Sequence, residues 1–151
     1  MAQRFALGRV LELAERRAED KAREVKQAHG DWLRARGQQV RLRASRDAGV
    51  DGLARLLGAG LSAAELARRT ARRRSDEHAL AQAAARVAGA YDAWQQRLRE
   101  WQVLDARVRA LRALVARHRH AQDVEARRLE QRQHDELTQH ARIWRRDSGR
   151  G

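Results

Sequence analysis

Six histidines, at positions 29, 78, 118, 120, 134 and 140, are the residues best suited to metal or general acid–base chemistry, and their spacing favours neither. Two metal ligands on one helical face need a separation of about one turn. No two of these histidines are four apart, and His118 and His120 point to different faces. There is no cysteine, so no disulfide framework or thiolate metal site can be built, which suits a cytosolic protein. The four serines are scattered, and Gly58-Ala59-Gly60 lacks the lysine and the spacing of a phosphate-binding loop. These residues support no catalysis, no metal and no cofactor, so any nucleotide belongs to a partner.

Charge is the stronger signal. Arg68-Arg69-Thr70-Ala71-Arg72-Arg73-Arg74 places five arginines within two helical turns, spread around the helix. The net charge of +13 comes almost wholly from arginine, because Lys21 and Lys26 are the only lysines. Such a surface attracts nucleic acid, acidic lipid or an acidic protein groove. The run reads either as an anionic docking site or as a solvated face. Specific nucleic-acid recognition is disfavoured, since no aromatic interleaves the run and no DNA- or RNA-binding module is recognisable. No apolar stretch approaches the roughly 18 to 20 residues that a transmembrane helix needs.

The elements that carry these residues are helical. There is no proline, aromatics make up only 4% and charged residues 35%, and Ala, Arg, Leu, Glu and Lys dominate; with sustained heptads this points to a coiled coil rather than a globular core. Stepping by fours and threes, one arm reads Leu7, Leu11, Ala14, Ala18, Lys21, Val25, Ala28 and Trp32, broken only by Lys21. A second reads Leu80, Ala84, Val87, Tyr91, Trp94, Leu98 and Trp101, ending at Asp105. The two arms mirror each other about residue 56, which predicts an all-α fold: an antiparallel two-helix coiled-coil hairpin with a longer, overhanging second helix. Facing positions then total 112, so that Val25 meets Val87, Ala28 meets Ala84, Ala18 meets Trp94, Ala14 meets Leu98 and Leu11 meets Trp101, large mostly against small. A register shifted by a heptad would also join apolar faces.

Helix 1 is expected over about residues 3–45, a reversal over about 46–61 around GVDGLARLLGAG (49–60), helix 2 over about 62–144, and a flexible tail over 145–151. Ser62 followed by Glu65 is a capping box that starts the second helix. Totals of 112 leave everything beyond about residue 110 without an intrachain partner. There the stripe shifts phase through a three-residue step after Trp101 and continues as Leu104, Val108, Leu111 and Val115, with Leu114 beside it. That face invites either a partner protein or self-association.

The opening MAQ..AL..VLELAERR.ED.AREV, the central AGLSAAEL and above all the stretch DARVRALRALVARHRHAQDVEARRLEQRQHDELTQ from Asp105 to Gln139 resemble the FliJ family of the bacterial flagellar type III export apparatus. The resemblance implies a non-enzymatic stalk. It would insert in the hexameric export ATPase ring (FliI-like), promote its assembly and activity, and reach the membrane export gate (FlhA-like). A FliH-like regulator and export chaperones are the other implied partners. The location implied is cytoplasmic, peripheral at the inner membrane. Arg107, Leu111, Leu114, Val115, Arg117, Arg128, Leu129, Arg132 and Leu137 are the expected ring contacts. By the same resemblance Gln38, Leu42 and Ala79 match gate-contact positions, and Arg69 and Arg72 stand where relatives carry aromatic residues. The equivalent stalk of a virulence injectisome, a nonspecific arginine-rich nucleic-acid binder and a simple homo-oligomeric coiled coil are the rival readings.

Overall fold

The computed structural model describes the backbone of residues 2–150 and the side chains of residues 6–150. Two α-helices, α1 (Ala2–Ala59) and α2 (Ala63–Ser148), pack against each other, and the described residues contain no strand. The fold is the all-α two-helix hairpin that the mirrored heptads predict. Contacts gather into two units, one formed by residues 16–105 and the other by the residues before 16 together with those after 105.

The reversal lies in the 16–105 unit and is far shorter than expected. α1 does not stop near residue 45 but runs through Gly49, Gly52 and Gly58 to Ala59. Each helical glycine costs about 1 kcal/mol relative to alanine. The helix survives because its inward stripe continues, with Leu42, Arg46, Leu53 and Leu56 all half-buried. Gly60, at φ 85°, is the one residue with positive φ among those described; it closes α1 in the left-handed conformation that glycine adopts most cheaply. Ser62 then caps α2, its Oγ accepting from the Glu65 backbone N–H at 3.3 Å while its carbonyl accepts from Leu66 N–H at 3.0 Å. At the other end, α2 continues to Ser148 rather than stopping at 144, and Gly149 N–H donates to the Arg145 carbonyl at 3.2 Å. Gly151 lies outside the described residues.

Moving the reversal to 60–62 resets the register. Lys21 meets Glu100 and Glu24 meets Arg97, totals of 121; His29 meets Trp94 and Trp32 meets Tyr91, totals of 123. The expected total of 112 is therefore wrong by about three half-heptads, and Trp94 faces His29 and Trp32 instead of Ala18. The alternation of large against small fails at the same place: Trp32 stacks on Trp94 at 5.1 Å and 24°, with Tyr91 edge-on to Trp94 at 5.9 Å. Ala28, Ala35 and Ala90, small residues at neighbouring seam positions, are half-buried beside them.

Most of the expected seam residues in this unit face inward. Ala18 is buried, and Val25, Ala28, Trp32, Leu80, Val87, Trp94, Leu98 and Trp101 are half-buried. Ala84 and Tyr91 are exposed; Ala83, 3% exposed, and half-buried Ala90 occupy the inward positions instead. The reason is the frame. Leu80, Val87, Trp94, Trp101, Val108 and Val115 recur every seven residues, and Ala83, Ala90, Arg97, Leu104 and Leu111 recur every seven between them. The heptad is thus continuous through Trp101, and the expected three-residue phase shift is an ordinary heptad step.

In the terminal unit Ala14 and Val108 are buried, and Leu7, Leu11, Leu111 and Val115 are half-buried. Leu7 and Gly8 line one small groove with Val115, His118 and Arg119, and Arg112 Nε donates to Glu15 Oε1 at 3.2 Å. Residues 111–119 therefore have an intrachain partner, contrary to the expectation that pairing ends near 110. The longer register carries α1 that much farther along α2. From Glu125 to Arg150 every residue except Thr138 is exposed.

Candidate functional site

One polar layer interrupts the seam of the 16–105 unit. Lys21, in an otherwise apolar stripe, donates to Glu100 at 2.9 Å and lies 2.8 Å from Glu24; Arg97, at the facing seam position, lies 3.4 Å from Glu24 and 3.6 Å from Glu100. Two cations and two carboxylates thus neutralise each other across the helices. Hydrogen bonding to Glu24 and then Glu100 raises the Lys21 ammonium above its ordinary 10.5, and Lys21 holds the Glu100 carboxyl below 4.5. The apolar spacing marks Lys21 as the break in the stripe without showing its partners. A lone cation in an apolar stripe demands an acid opposite, and Glu100 was the signal that could have set the register.

Next to it the aromatic cluster of His29, Trp32, Tyr91 and Trp94 carries the Arg36 guanidinium 4.8 Å above the Trp32 ring. These rings serve packing.

Nearer the reversal the seam turns cationic. Arg46, Gly49, Val50 and Leu53 of α1 face Arg69, Arg72, Arg73 and Asp76 of α2 across a groove of about 330 Å³. Gly49 falls at a seam position, and its missing side chain leaves the opening; Arg69, Arg73 and Asp76 fall at seam positions of α2 and cannot close it. Arg46 pairs with Asp47 at 3.1 Å and Arg73 with Glu77 at 3.5 Å. Of the expected gate contacts, half-buried Arg69 and exposed Arg72 meet in this groove. Leu42 and Ala79 are half-buried at matching levels of the seam, and Gln38 is exposed one turn from Leu42.

The expected ring contacts divide into two groups. Leu111 and Val115 are half-buried in the seam with α1 and so offer little surface to a partner. Leu114, Leu129 and Leu137 are 48%, 49% and 70% exposed, and Arg107, Arg117, Arg128 and Arg132 are exposed beside them. Ile143 and Trp144, outside the expected ring contacts, are 55% and 75% exposed and extend the same uncovered stretch. Among the described residues no group of His, Asp and Glu could hold a metal ion, and no helix is long and apolar enough to cross a membrane.

A family model described as flagellar FliJ protein matches residues 3–147. No curated protein matches the chain, and no solved structure does.

Proposed function

The chain belongs to the flagellar FliJ protein family, a component of the flagellar export apparatus, and on that premise we propose that it acts as the non-enzymatic stalk of the export ATPase complex. The observation that carries this reading is the exposed end of α2, where Leu129, Leu137, Ile143 and Trp144 have no covering element. A long helix that is polar on most sides gains little from its own packing. Insertion into a hexameric ring of FliI-like subunits covers those residues and gives Arg128 and Arg132 acidic groups to meet.

In this reading Leu114, Arg107 and Arg117 contribute where α1 still accompanies α2, while Leu111 and Val115 act indirectly by holding the helices together. The other end of the hairpin, with Gln38, Leu42, Arg69, Arg72 and Ala79, meets the FlhA-like export gate. Arginines stand there in place of aromatic residues, so electrostatic attraction replaces ring packing in that contact. A FliH-like regulator and export chaperones complete the partner set, and the complex sits at the cytoplasmic face of the inner membrane.

Stimulation of the export ATPase tests the assignment. Leu129→Asp with Leu137→Asp should abolish stimulation of hexamer assembly and hydrolysis while leaving the urea midpoint unchanged, because both side chains are already solvated. Leu111→Asp with Val115→Asp should instead lower the midpoint itself. Full stimulation by the first pair would remove the ring assignment.

A further inference from the structure

In the middle of the hairpin, residues 16–40 and 80–105 carry ten Lys and Arg against seven Asp and Glu, and Lys21, Arg23, Arg34 and Arg97 are each paired to a carboxylate. The reversal end differs. Between residues 41 and 74 there are nine arginines against Asp47, Asp51 and Glu65. Arg55, Arg69, Arg72 and Arg74 make no ion pair among the described residues. At the same end Leu57 and Leu66 are 56% and 42% exposed, one on each helix and flanking the turn at Gly60–Ser62.

We propose that this end of the hairpin binds an anionic lipid bilayer directly, end-on, with Leu57 and Leu66 entering the interface and the surrounding arginines holding lipid phosphates. The arginines of the 68–74 run are spread around α2, and Arg55 adds one on α1 close to the turn. A peptide in a groove engages one face, whereas a plane met by the end of a hairpin is reached from all of them. Arginine suits the task because its planar fork binds phosphate oxygens bidentately. Apolar side chains ringed by cations are the composition that favours an anionic interface. At 1.5 Å per residue, Arg55 and Arg68 lie within about 10 Å of the turn, the Debye length at about 0.1 M salt, and Arg72 and Arg74 within about 20 Å. This binding does not depend on the ATPase assignment, and it is read on vesicles with no gate protein present, so its failure leaves the gate contact proposed for Arg69 and Arg72 standing.

Flotation of the full chain with vesicles of phosphatidylglycerol and phosphatidylcholine, against phosphatidylcholine alone, tests it at near-physiological salt. The chain should float only with the anionic vesicles. Two arginines near an anionic surface and two farther away make the expected loss for Arg55→Gln, Arg68→Gln, Arg72→Gln and Arg74→Gln together roughly 30-fold or more. The same charge removed at exposed Arg127, Arg128, Arg132 and Arg142 should cost a few-fold at most. Leu57→Ser with Leu66→Ser, which changes no charge, should cost roughly tenfold. Equal losses from the two arginine sets would reduce the effect to diffuse attraction and overturn the proposal. An unaltered affinity in the leucine variant would do the same. Capture of a polyglutamate peptide by this end, with vesicles left unbound, would assign it to an acidic protein instead. Far-ultraviolet circular dichroism verifies that each variant keeps its helices.

Discussion

Replacing Trp32 and Trp94, singly and together, measures the register of the hairpin. Both rings are half-buried and stacked at 5.1 Å, and each also meets His29 and Tyr91, at 5.8 and 6.0 Å for Trp32 and at 4.6 and 5.9 Å for Trp94. Truncating Trp32 to alanine exposes on the order of 150 Å² of apolar contact, worth about 3–4 kcal/mol. A seam only two helices thick relaxes readily, so the cavity adds little and the lower figure applies. With a denaturant slope of about 1.5 kcal/mol per molar for a small protein, the urea midpoint should fall by about 2 M. Trp94→Ala should behave alike. The double variant should lose less than the sum of the two, by about 1 kcal/mol, the excess that a stacked aromatic pair contributes beyond area. Urea titrations followed by far-ultraviolet circular dichroism give all three quantities. In a register totalling 112, Trp94 would face Ala18 and Trp32 would face Leu80, so the two substitutions would be independent. A coupling below about 0.3 kcal/mol would refute the register.

Two further outcomes concern the turn and the polar layer. Gly60→Ala should cost about 1–2 kcal/mol, the penalty of placing a Cβ at positive φ, and Ser62→Ala about 1 kcal/mol for the lost cap; thermal melts of the two variants read both. The Glu100 carboxyl is held below 4.5, so its contribution is present above that pH and is lost as pH falls through its lowered value. The Lys21 ammonium is held above 10.5, so its contribution is present below that pH and is lost as pH rises through its raised value. Stability from this pair should therefore be flat between about pH 4.5 and 10.5. A Lys21→Met chain should show a weaker acid decline in its urea midpoint than the parent, and identical acid limbs would remove the pair from the account.

Much of the fold could be read from residue types. The stripe from Leu7 to Trp32 and the start of α2 at Ser62 follow from spacing alone. The end of α1 could not be read this way, because four glycines in twelve residues look like a loop when only local propensity is weighed. Leu53 and Leu56 keep that segment helical by staying half-buried on the seam, a tertiary gain that outweighs the local cost. Which of the proposed contact residues are exposed was not legible by position. Leu111 and Leu129 look alike in a heptad pattern, and only the reach of α1 along α2 separates a seam residue from an uncovered one.

Heptad periodicity and composition by themselves determined that two long helices fold back on one another, that one outruns the other, and that arginine carries most of the net positive charge. They left the register open for a physical reason. An apolar seam repeats every three and a half residues, so sliding one helix by half-heptads keeps apolar faces together at little difference in energy. The tertiary structure removed that degeneracy through two local features, a turn confined to Gly60–Ser62 and a charge layer in which Lys21 and Arg97 meet Glu24 and Glu100. Those few contacts decide which leucines the hairpin buries and which remain for another molecule to cover.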